Sequence, residues 1–258
     1  MHSHHPIHRV GFCALIVAAA LLLTRPAGAT TNAAFVDKAY QDLLLRSASP
    51  SDISTWVGLL DSSLTRPQFA LDVMNSDEYR HIRAAEFYTD FLGRSGSGLE
   101  LNNLTLFLQS ATLAQGRASL LGSAEYFSSQ GASTNAGFLN SLYLDLLNRP
   151  IDSASSTFYL NQLGLGATRS DVALSVQSSD EWRGDIVTSY YQQFLHRAPD
   201  ATGLAAFKSL LSTGTEQDVI ANLIGSQEYF NNVPEPAGIS ILCLLSLWTM
   251  RRKFFSNR

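Results

Sequence analysis

The segment YQQFLHRAPDATG, residues 191 to 203, contains the motif that decides the fold. Its Tyr191 stands six residues before Arg197, and the residues between them resemble the apolar end of a helix. The same spacing occurs in the pairs Tyr40/Arg46, Tyr88/Arg94 and Tyr143/Arg149. Self-similarity at a fixed period is the sequence signature of a repeat protein. We therefore divide the chain into four related repeats of about 48 residues.

Three further landmarks follow each arginine. Ten residues later comes a large apolar side chain, in turn Trp56, Leu104, Tyr159 and Phe207. A threonine then stands three residues before Gln or Asp, which predicts a helix N-cap with a capping box, at Thr65/Gln68, Thr112/Gln115, Thr168/Asp171 and Thr215/Asp218. Eleven residues after the threonine, a serine opens a Ser-x-Glu-aromatic motif, at Ser76, Ser123, Ser179 and Ser226.

The repeats form two duplicated pairs. A shift of 103 residues carries every landmark of the first pair onto the second without a gap, for example Tyr40 onto Tyr143. Residues 130–137 are small and polar and have no counterpart inside either pair, so they are interpreted as a linker. The predicted modules are residues 34–129 and 138–231, and each is expected to close around its own interior.

Apolar spacing predicts helices throughout. In the segment LTRPQFALDVMNS, residues 64 to 76, the apolar positions Phe69, Ala70, Val73 and Met74 share one helical face. Pro67 falls in the first turn, where its missing amide does no harm. We expect an all-α fold, a tandem helical bundle with roughly three helices per repeat. One helix is expected to run through each of residues 76–94 and 179–197.

Each repeat also contains an arginine and a glutamate 31 or 32 residues apart. Opposite charges at a fixed register predict a partly buried ion pair that fixes the helices of one repeat. Ligand binding by the same groups is the alternative. The predicted structural pairs are Arg46/Glu78, Arg94/Glu125, Arg149/Glu181 and Arg197/Glu228.

Residues 1–29 are expected to be a signal peptide. An apolar run is followed by Ala27-Gly28-Ala29, small residues of the kind that signal peptidase cleaves. His2, His4, His5 and His8 fall in this leader, so we discount them as metal ligands, and only His81 and His196 remain outside it.

The C-terminal segment, residues 233–258, resembles a PEP-CTERM sorting signal. Pro234-Glu235-Pro236 precede an apolar run, residues 237–250, and then the basic cluster Arg251-Arg252-Lys253. The resemblance implies a transmembrane segment recognised and removed by an exosortase, with transfer to the cell surface. Basic residues after the apolar run agree with a cytoplasmic end. Fourteen residues span only about 21 Å as a helix, short of a bilayer core of about 30 Å. An ordinary tail anchor is the alternative.

Composition excludes several classes of function. Residues 30–232 contain 12 Lys and Arg against 21 Asp and Glu, a net charge of −9, which disfavours nucleic-acid binding. Both cysteines, Cys13 and Cys243, lie in the terminal segments, so the domain is expected to fold without disulfides. No HExxH, Gly-x-Ser-x-Gly or phosphate-loop motif occurs, and no cofactor is implied.

Two weaker candidates for sites remain. The loop acids Asp52, Asp152 and Asp200 offer oxygen ligands for calcium but lack EF-hand spacing. The tyrosine and tryptophan landmarks offer a sugar-stacking surface, but core packing is the favoured interpretation because each lies in an amphipathic helix.

The motif Tyr-x-x-x-(Leu/Phe)-x-Arg, the loop RAPDATG at residues 197–203 and the Ser-x-Glu-Tyr motif together resemble the bacterial family called domain of unknown function 4214. That family is similar to the helical linker domains of phycobilisomes. The resemblance covers residues 34–231, with Ser95-Gly96-Ser97-Gly98 departing from the loop pattern in repeat two. It implies a surface or extracellular protein, often adhesive or matrix-associated, without an established activity.

The sequence thus predicts a non-enzymatic protein exported across the inner membrane of a Gram-negative bacterium, to the cell surface or matrix. Its expected partners are signal peptidase, exosortase, the membrane before processing, and exopolysaccharide or other surface proteins. The alternatives are a glycan hydrolase, which requires a pocket with converging carboxylates, and an assembly subunit linked by calcium.

Overall fold

The computed structural model describes residues 31–233, and within that range every regular element is an α-helix. The predicted all-α class is therefore confirmed. The helices of the first half are α1 Asn32–Leu44, α2 Pro50–Ser62, α3 Arg66–Met74, α4 Asp77–Leu92, α5 Gly98–Phe107, α6 Leu113–Leu121 and α7 Ala124–Ser129. Those of the second half are α8 Asn135–Leu147, α9 Ser153–Gly164, α10 Arg169–Gln177, α11 Asp180–Leu195, α12 Ala201–Thr213, α13 Glu216–Ile224 and α14 Gln227–Asn232.

Side-chain caps begin these helices where the sequence indicated. The four predicted capping boxes are present at the start of α3, α6, α10 and α13, with threonine at each N-cap. Ser76 and Ser179 cap α4 and α11, the two helices predicted to run through the repeat boundaries. Each cap satisfies an amide of the first turn that has no partner within its helix.

The residue before each motif arginine has a structural role. Leu45, Gly93, Asn148 and His196 all adopt left-handed backbone conformations at the ends of α1, α4, α8 and α11. Glycine adopts this conformation without strain, whereas the other three residues tolerate it at some cost. The residue type at this position differs between the repeats, and in each repeat the residue ends a helix. His196 therefore has the role of a helix C-cap.

The two halves interlock through their short capped helices. Helix α3 of the first half packs on α13 of the second, and α10 of the second half packs on α6 of the first. These two contacts are equivalent when the halves are exchanged, because α3 corresponds to α10 and α6 to α13. The halves are thus related by a pseudo-two-fold axis, as in the self-complementary interface of a symmetric dimer.

The described chain also closes on itself. Tyr126 on α7 packs edge-on against Phe138 on α8, with ring centroids 6.1 Å apart. At the equivalent place, Tyr229 on α14 packs edge-on against Phe35 on α1, at 6.0 Å. The Tyr229 hydroxyl donates to Asp42, 2.7 Å away. Helix α14 of the last repeat therefore contacts α1 of the first.

The expectation of two separate interiors is wrong. The buried apolar residues form one cluster that includes both halves, because α3, α6, α10 and α13 pack across the boundary. The predicted linker is also shorter than expected, since α8 begins at Asn135, inside residues 130–137.

Within residues 31–233, no helix is long and apolar enough to cross a membrane. The predicted signal peptide and residues 234–258 lie outside the described residues.

Candidate functional site

The structure brings each motif arginine onto the glutamate of its own repeat. The guanidinium and the carboxylate meet as a two-bonded fork, with Nε donating to Oε1 and Nη2 to Oε2 in Arg149–Glu181 at 2.6 and 2.7 Å. The other pairs have the same geometry, with Nε–Oε1 distances of 2.5 Å in Arg46–Glu78, Arg94–Glu125 and Arg197–Glu228. Each fork joins the end of one helix to the first turn of another.

A loop acid and a tyrosine complete each of these four clusters, which we call the arginine clamps. Arg94 also binds Glu100 at 2.7 Å, and Arg46 binds Asp52 at 3.2 Å. Every clamp arginine lies over the ring of its repeat's tyrosine, with Arg149 placed 5.2 Å from the centroid of Tyr143. This stacking is a cation–π contact. The recurring tyrosines thus serve the clamps and the core.

Hydrogen bonds from the arginines lower the pKa of the clamp glutamates Glu78, Glu125, Glu181 and Glu228. The strongest effect falls on Glu100 in the first turn of α5, where Arg94 and the Ser97 amide lower the pKa to about 2. The same contacts raise the pKa of the arginines. Both partners therefore stay charged at neutral pH.

The clamps are more exposed than the sequence suggested. Side-chain exposure lies between 36% and 42% in all four pairs, so solvent screens the attraction. We expect Arg149→Ala to lower the free energy of unfolding by only about 1 kcal/mol, and not the 3 to 5 kcal/mol of a buried pair. Denaturant titration of Arg149→Ala and Glu181→Ala measures this loss, and a loss near 4 kcal/mol would contradict the assignment.

Acid is expected to destabilise the fold. Groups with a lowered folded-state pKa stabilise the protein above their ordinary value of 4.5, and this contribution is lost as the pH falls through the folded pKa. Burial raises the pKa of four acids, which acts in the opposite direction but over fewer groups: Glu86, Asp90, Asp145 and Asp185. Unfolding titrations at about pH 7 and about pH 3 should show lower stability in acid. Glu181→Gln should reduce the difference, and an unchanged difference would contradict the linkage.

The loop acids proposed as calcium ligands have other partners. Asp52 completes the capping box of α2, and Asp152 and Asp200 are the N-caps of α9 and α12. In the part of the chain that the structure describes, no group of three His, Cys, Asp or Glu side chains could hold a metal ion. Local amides and arginines occupy these oxygens instead.

Sequence reasoning missed a buried polar network between the halves. Arg117 on α6 donates from Nη1 and Nη2 to Glu216 on α13, at 3.2 and 3.0 Å, and also to Gln177 on α10. The hydroxyl of Tyr190 donates to Glu216. Arg117 and Glu216 are only 7% and 4% exposed. The rings of Phe87 and Trp182 flank the guanidinium.

A comparison of the two duplicated halves of the sequence could have revealed this network. At the offset of 103 residues, the network positions correspond to apolar side chains in the other half. The correspondences are Arg117 with Ile220, Gln177 with Met74, Glu216 with Leu113, and Tyr190 with Phe87. Compensating polar replacements at four matched core positions indicate that these residues contact one another across the pseudo-two-fold axis.

A cavity of about 310 Å³, which we call the central cavity, lies beside this network, between α4 and α11. Aromatic rings form much of its wall, including Tyr79, Phe87 and Trp182. The carboxylates of Asp42, Glu86, Asp90 and Asp145 also line it. The Nε of Arg83, another lining residue, is buried without a hydrogen-bond acceptor in residues 31–233. The cavity combines an apolar wall with charged groups, the usual composition of a small-molecule site.

A second hollow, an open groove of about 360 Å³, lies in repeat two. Trp56, Tyr159 and Phe207 fill the corresponding position in the other repeats and contact the tyrosine of their own repeat. Repeat two has Leu104 there, and the groove is also lined by Tyr88 and by Phe107, which is 44% exposed. Asn103, Ser119, Ser123 and the clamp acids Glu100 and Glu125 add polar groups to the groove.

Comparison with known sequences identifies the family. The sequence model described as Domain of unknown function (DUF4214) matches residues 17–82, 117–186 and 182–233, which is more than half of the chain. The chain belongs to this family. Neither a curated protein nor a solved structure matches this DUF4214 chain. The stretch between the first two matches, residues 83–116, contains Leu104 and the divergent loop of repeat two.

Proposed function

We propose that this DUF4214 protein is an exported, surface-sorted scaffold that binds extracellular polysaccharide and catalyses no reaction. The terminal segments support export, signal-peptidase cleavage and sorting by an exosortase through Pro234-Glu235-Pro236 and the basic cluster Arg251-Arg252-Lys253. Closed helical packing and four surface clamps support a structural role. The observation that carries the adhesive role is the open groove in repeat two.

The lining of this groove suits a sugar ring. The exposed face of Phe107 offers a surface for the apolar side of a pyranose. Asn103 and the clamp acids provide planar hydrogen-bonding groups beside it. Glu100 and Glu125 outnumber Arg94, which favours neutral over acidic polymers. The groove is open to solvent, as binding of a polymer longer than the groove requires.

Filling the groove tests the adhesive role. We expect Leu104→Phe to weaken binding of cellohexaose, laminarihexaose or dextran by about tenfold or more, because the ring occupies the space that Phe207 fills in repeat four. Its stability should stay close to wild type, since the fold already accommodates an aromatic ring there.

Phe207→Leu is the matched control, because it opens a hollow in repeat four and leaves repeat two unchanged. This variant should bind as wild type does. Equal binding by Leu104→Phe and wild type, or no binding to any of the three glucans by wild type, would contradict the proposal.

Mass spectrometry of the native protein in membrane, surface and medium fractions tests its sorting. The expected product begins after Ala29 and ends near Pro236, in the surface or medium fraction. An uncut chain confined to the cytoplasm would contradict export, and a cut leader with an intact tail would assign the tail as an anchor.

One observation favours the alternative function, a glycan hydrolase. Burial raises the pKa of Glu86, Asp90 and Asp145 on the wall of the central cavity, as a general acid requires. Release of reducing ends from the same glucans, abolished in Asp90→Asn or Asp145→Asn, would establish that function.

A further inference from the structure

We propose that the central cavity binds an organic cation with separated amino groups, of the diamine or polyamine class. The cavity lies beside the pseudo-two-fold axis and takes side chains from both halves. Nothing in the adhesive role requires this site, which is distinct from the repeat-two groove.

The charge balance of the cavity favours a cation. Among its acids, Glu86 is paired with Arg83 at 2.8 Å, and Asp42 with Lys38. Arg117, which also lines the cavity, is paired with Glu216. Asp90 and Asp145 form no salt bridge within residues 31–233. Oδ2 of Asp145 accepts a hydrogen bond from the Tyr126 hydroxyl at 2.6 Å, which leaves the negative charge of the carboxylate without a cationic partner. The two uncompensated carboxylates leave the cavity with a net negative charge that a dication would balance.

The spread of the acids distinguishes an organic cation from a metal ion. No three acidic side chains of the described range are close enough together to ligate one metal. Asp90 projects from α4 of the first half and Asp145 from α8 of the second, so they offer separate positions for two amino groups. The aromatic wall contacts methylene groups and attracts ammonium groups through its ring faces.

The duplication shows that one side of the cavity was changed in charge. Glu86 and Asp90 on α4 correspond to Ser189 and Gln193 on α11, and Arg83 corresponds to Ile186; both members of each pair line the cavity. The α4 side therefore carries two acids and one base where the α11 side is uncharged. Asp42 and Asp145, in contrast, are acidic in both halves. Asp90 is thus the α4 acid of the cavity that has no basic partner within residues 31–233, and an elongated cation lies with one amino group there and its far amino group at Asp145.

Calorimetric titration with spermidine and putrescine tests this proposal. We expect one site per chain and a raised melting temperature, because a ligand that binds only the folded halves stabilises them. Asp90→Asn and Asp145→Asn should each weaken binding by about tenfold or more, the effect of losing a hydrogen bond to a charged group. Asp90 forms no salt bridge within residues 31–233, and the amide oxygen of Asp145→Asn can still accept from the Tyr126 hydroxyl, which is bound to Asp145 in the wild type, so both variants are expected to fold.

Asp72→Asn is the matched control, because it removes the same charge from an exposed position on α3 outside the cavity. This variant should bind as wild type does. Equal weakening by Asp72→Asn and Asp90→Asn, or several weak sites per chain, would show that the acidic surface attracts polyamines without a specific site. Absence of binding would also overturn the proposal. Neither outcome affects the glucan-binding test of Leu104→Phe.

Discussion

Replacement of Arg117 by methionine is expected to lower the free energy of unfolding by about 3 to 5 kcal/mol. Methionine keeps much of the volume of the side chain but removes the cation that both oxygens of Glu216 accept from. The Glu216 carboxylate would then be left at 4% exposure with the Tyr190 hydroxyl as its remaining donor. An unpaired buried charge is among the largest destabilising defects of a single substitution. Denaturant unfolding of the variant measures the loss.

The chain itself supplies the control for this prediction. A variant with Arg117→Ile, Gln177→Met, Glu216→Leu and Tyr190→Phe would hold at each network position the residue found at its counterpart. Replacement of a whole buried ionic network by packed apolar side chains is often neutral or stabilising. We expect this variant to recover wild-type stability or exceed it. If the fourfold variant were as unstable as Arg117→Met, the expectation would be wrong, and the polar network would be required for the two halves to pack together.

Alanine at Gly122 is expected to lower the free energy of unfolding by about 1 to 3 kcal/mol, the usual cost of overpacking. A Cβ there would lie 2.7 Å from the amide nitrogen of Ser170 and 2.9 Å from its Cα. Backbone atoms at the start of α10 cannot move aside as a flexible side chain can, so α6 and α10 would have to separate. Gly225 meets Pro67 in the same way at the equivalent α13–α3 contact, and its alanine variant should behave alike.

Alanine at Gly184 is expected to have the opposite effect on the free energy of unfolding, measured by denaturant unfolding as for Gly122→Ala. Gly184 lies inside α11, and a Cβ there would meet nothing within 4 Å. Alanine should therefore raise stability by about 0.5 to 1 kcal/mol, because glycine loses more conformational freedom on folding. If Gly122→Ala were as stable as Gly184→Ala, the close approach of α6 and α10 would be wrong, and with it the interlocked arrangement of the halves.

Features governed by near neighbours in the chain were predictable. The capping boxes at Thr65 and Thr168, and the run-through of α4 and α11, follow from interactions between residues within one or two helical turns. Arg149 could be matched with Glu181 because the same spacing recurs in four repeats. The exposure of that pair could not be derived, because it depends on which helices cover the clamp.

The interlocked halves depend on partners far apart in sequence. The sequence of α3 predicts an apolar face but not the helix that covers it, and in the structure that helix is α13 of the other half. Arg117 likewise resembles any surface arginine until its position is compared with Ile220. A prediction made from each half alone therefore gives two hydrophobic cores, whereas the described residues form one.

The sequence by itself determined the helices, their caps, the fourfold motif and the matching of charges within each repeat, because these are set by short-range hydrogen bonds and by repetition. The tertiary structure alone decided that the halves share a core, that a buried ion pair joins them, and that hollows open at Leu104 and beside α4. Their physical cause is the pairing of surfaces brought together only by folding, where shape and desolvation select the partner.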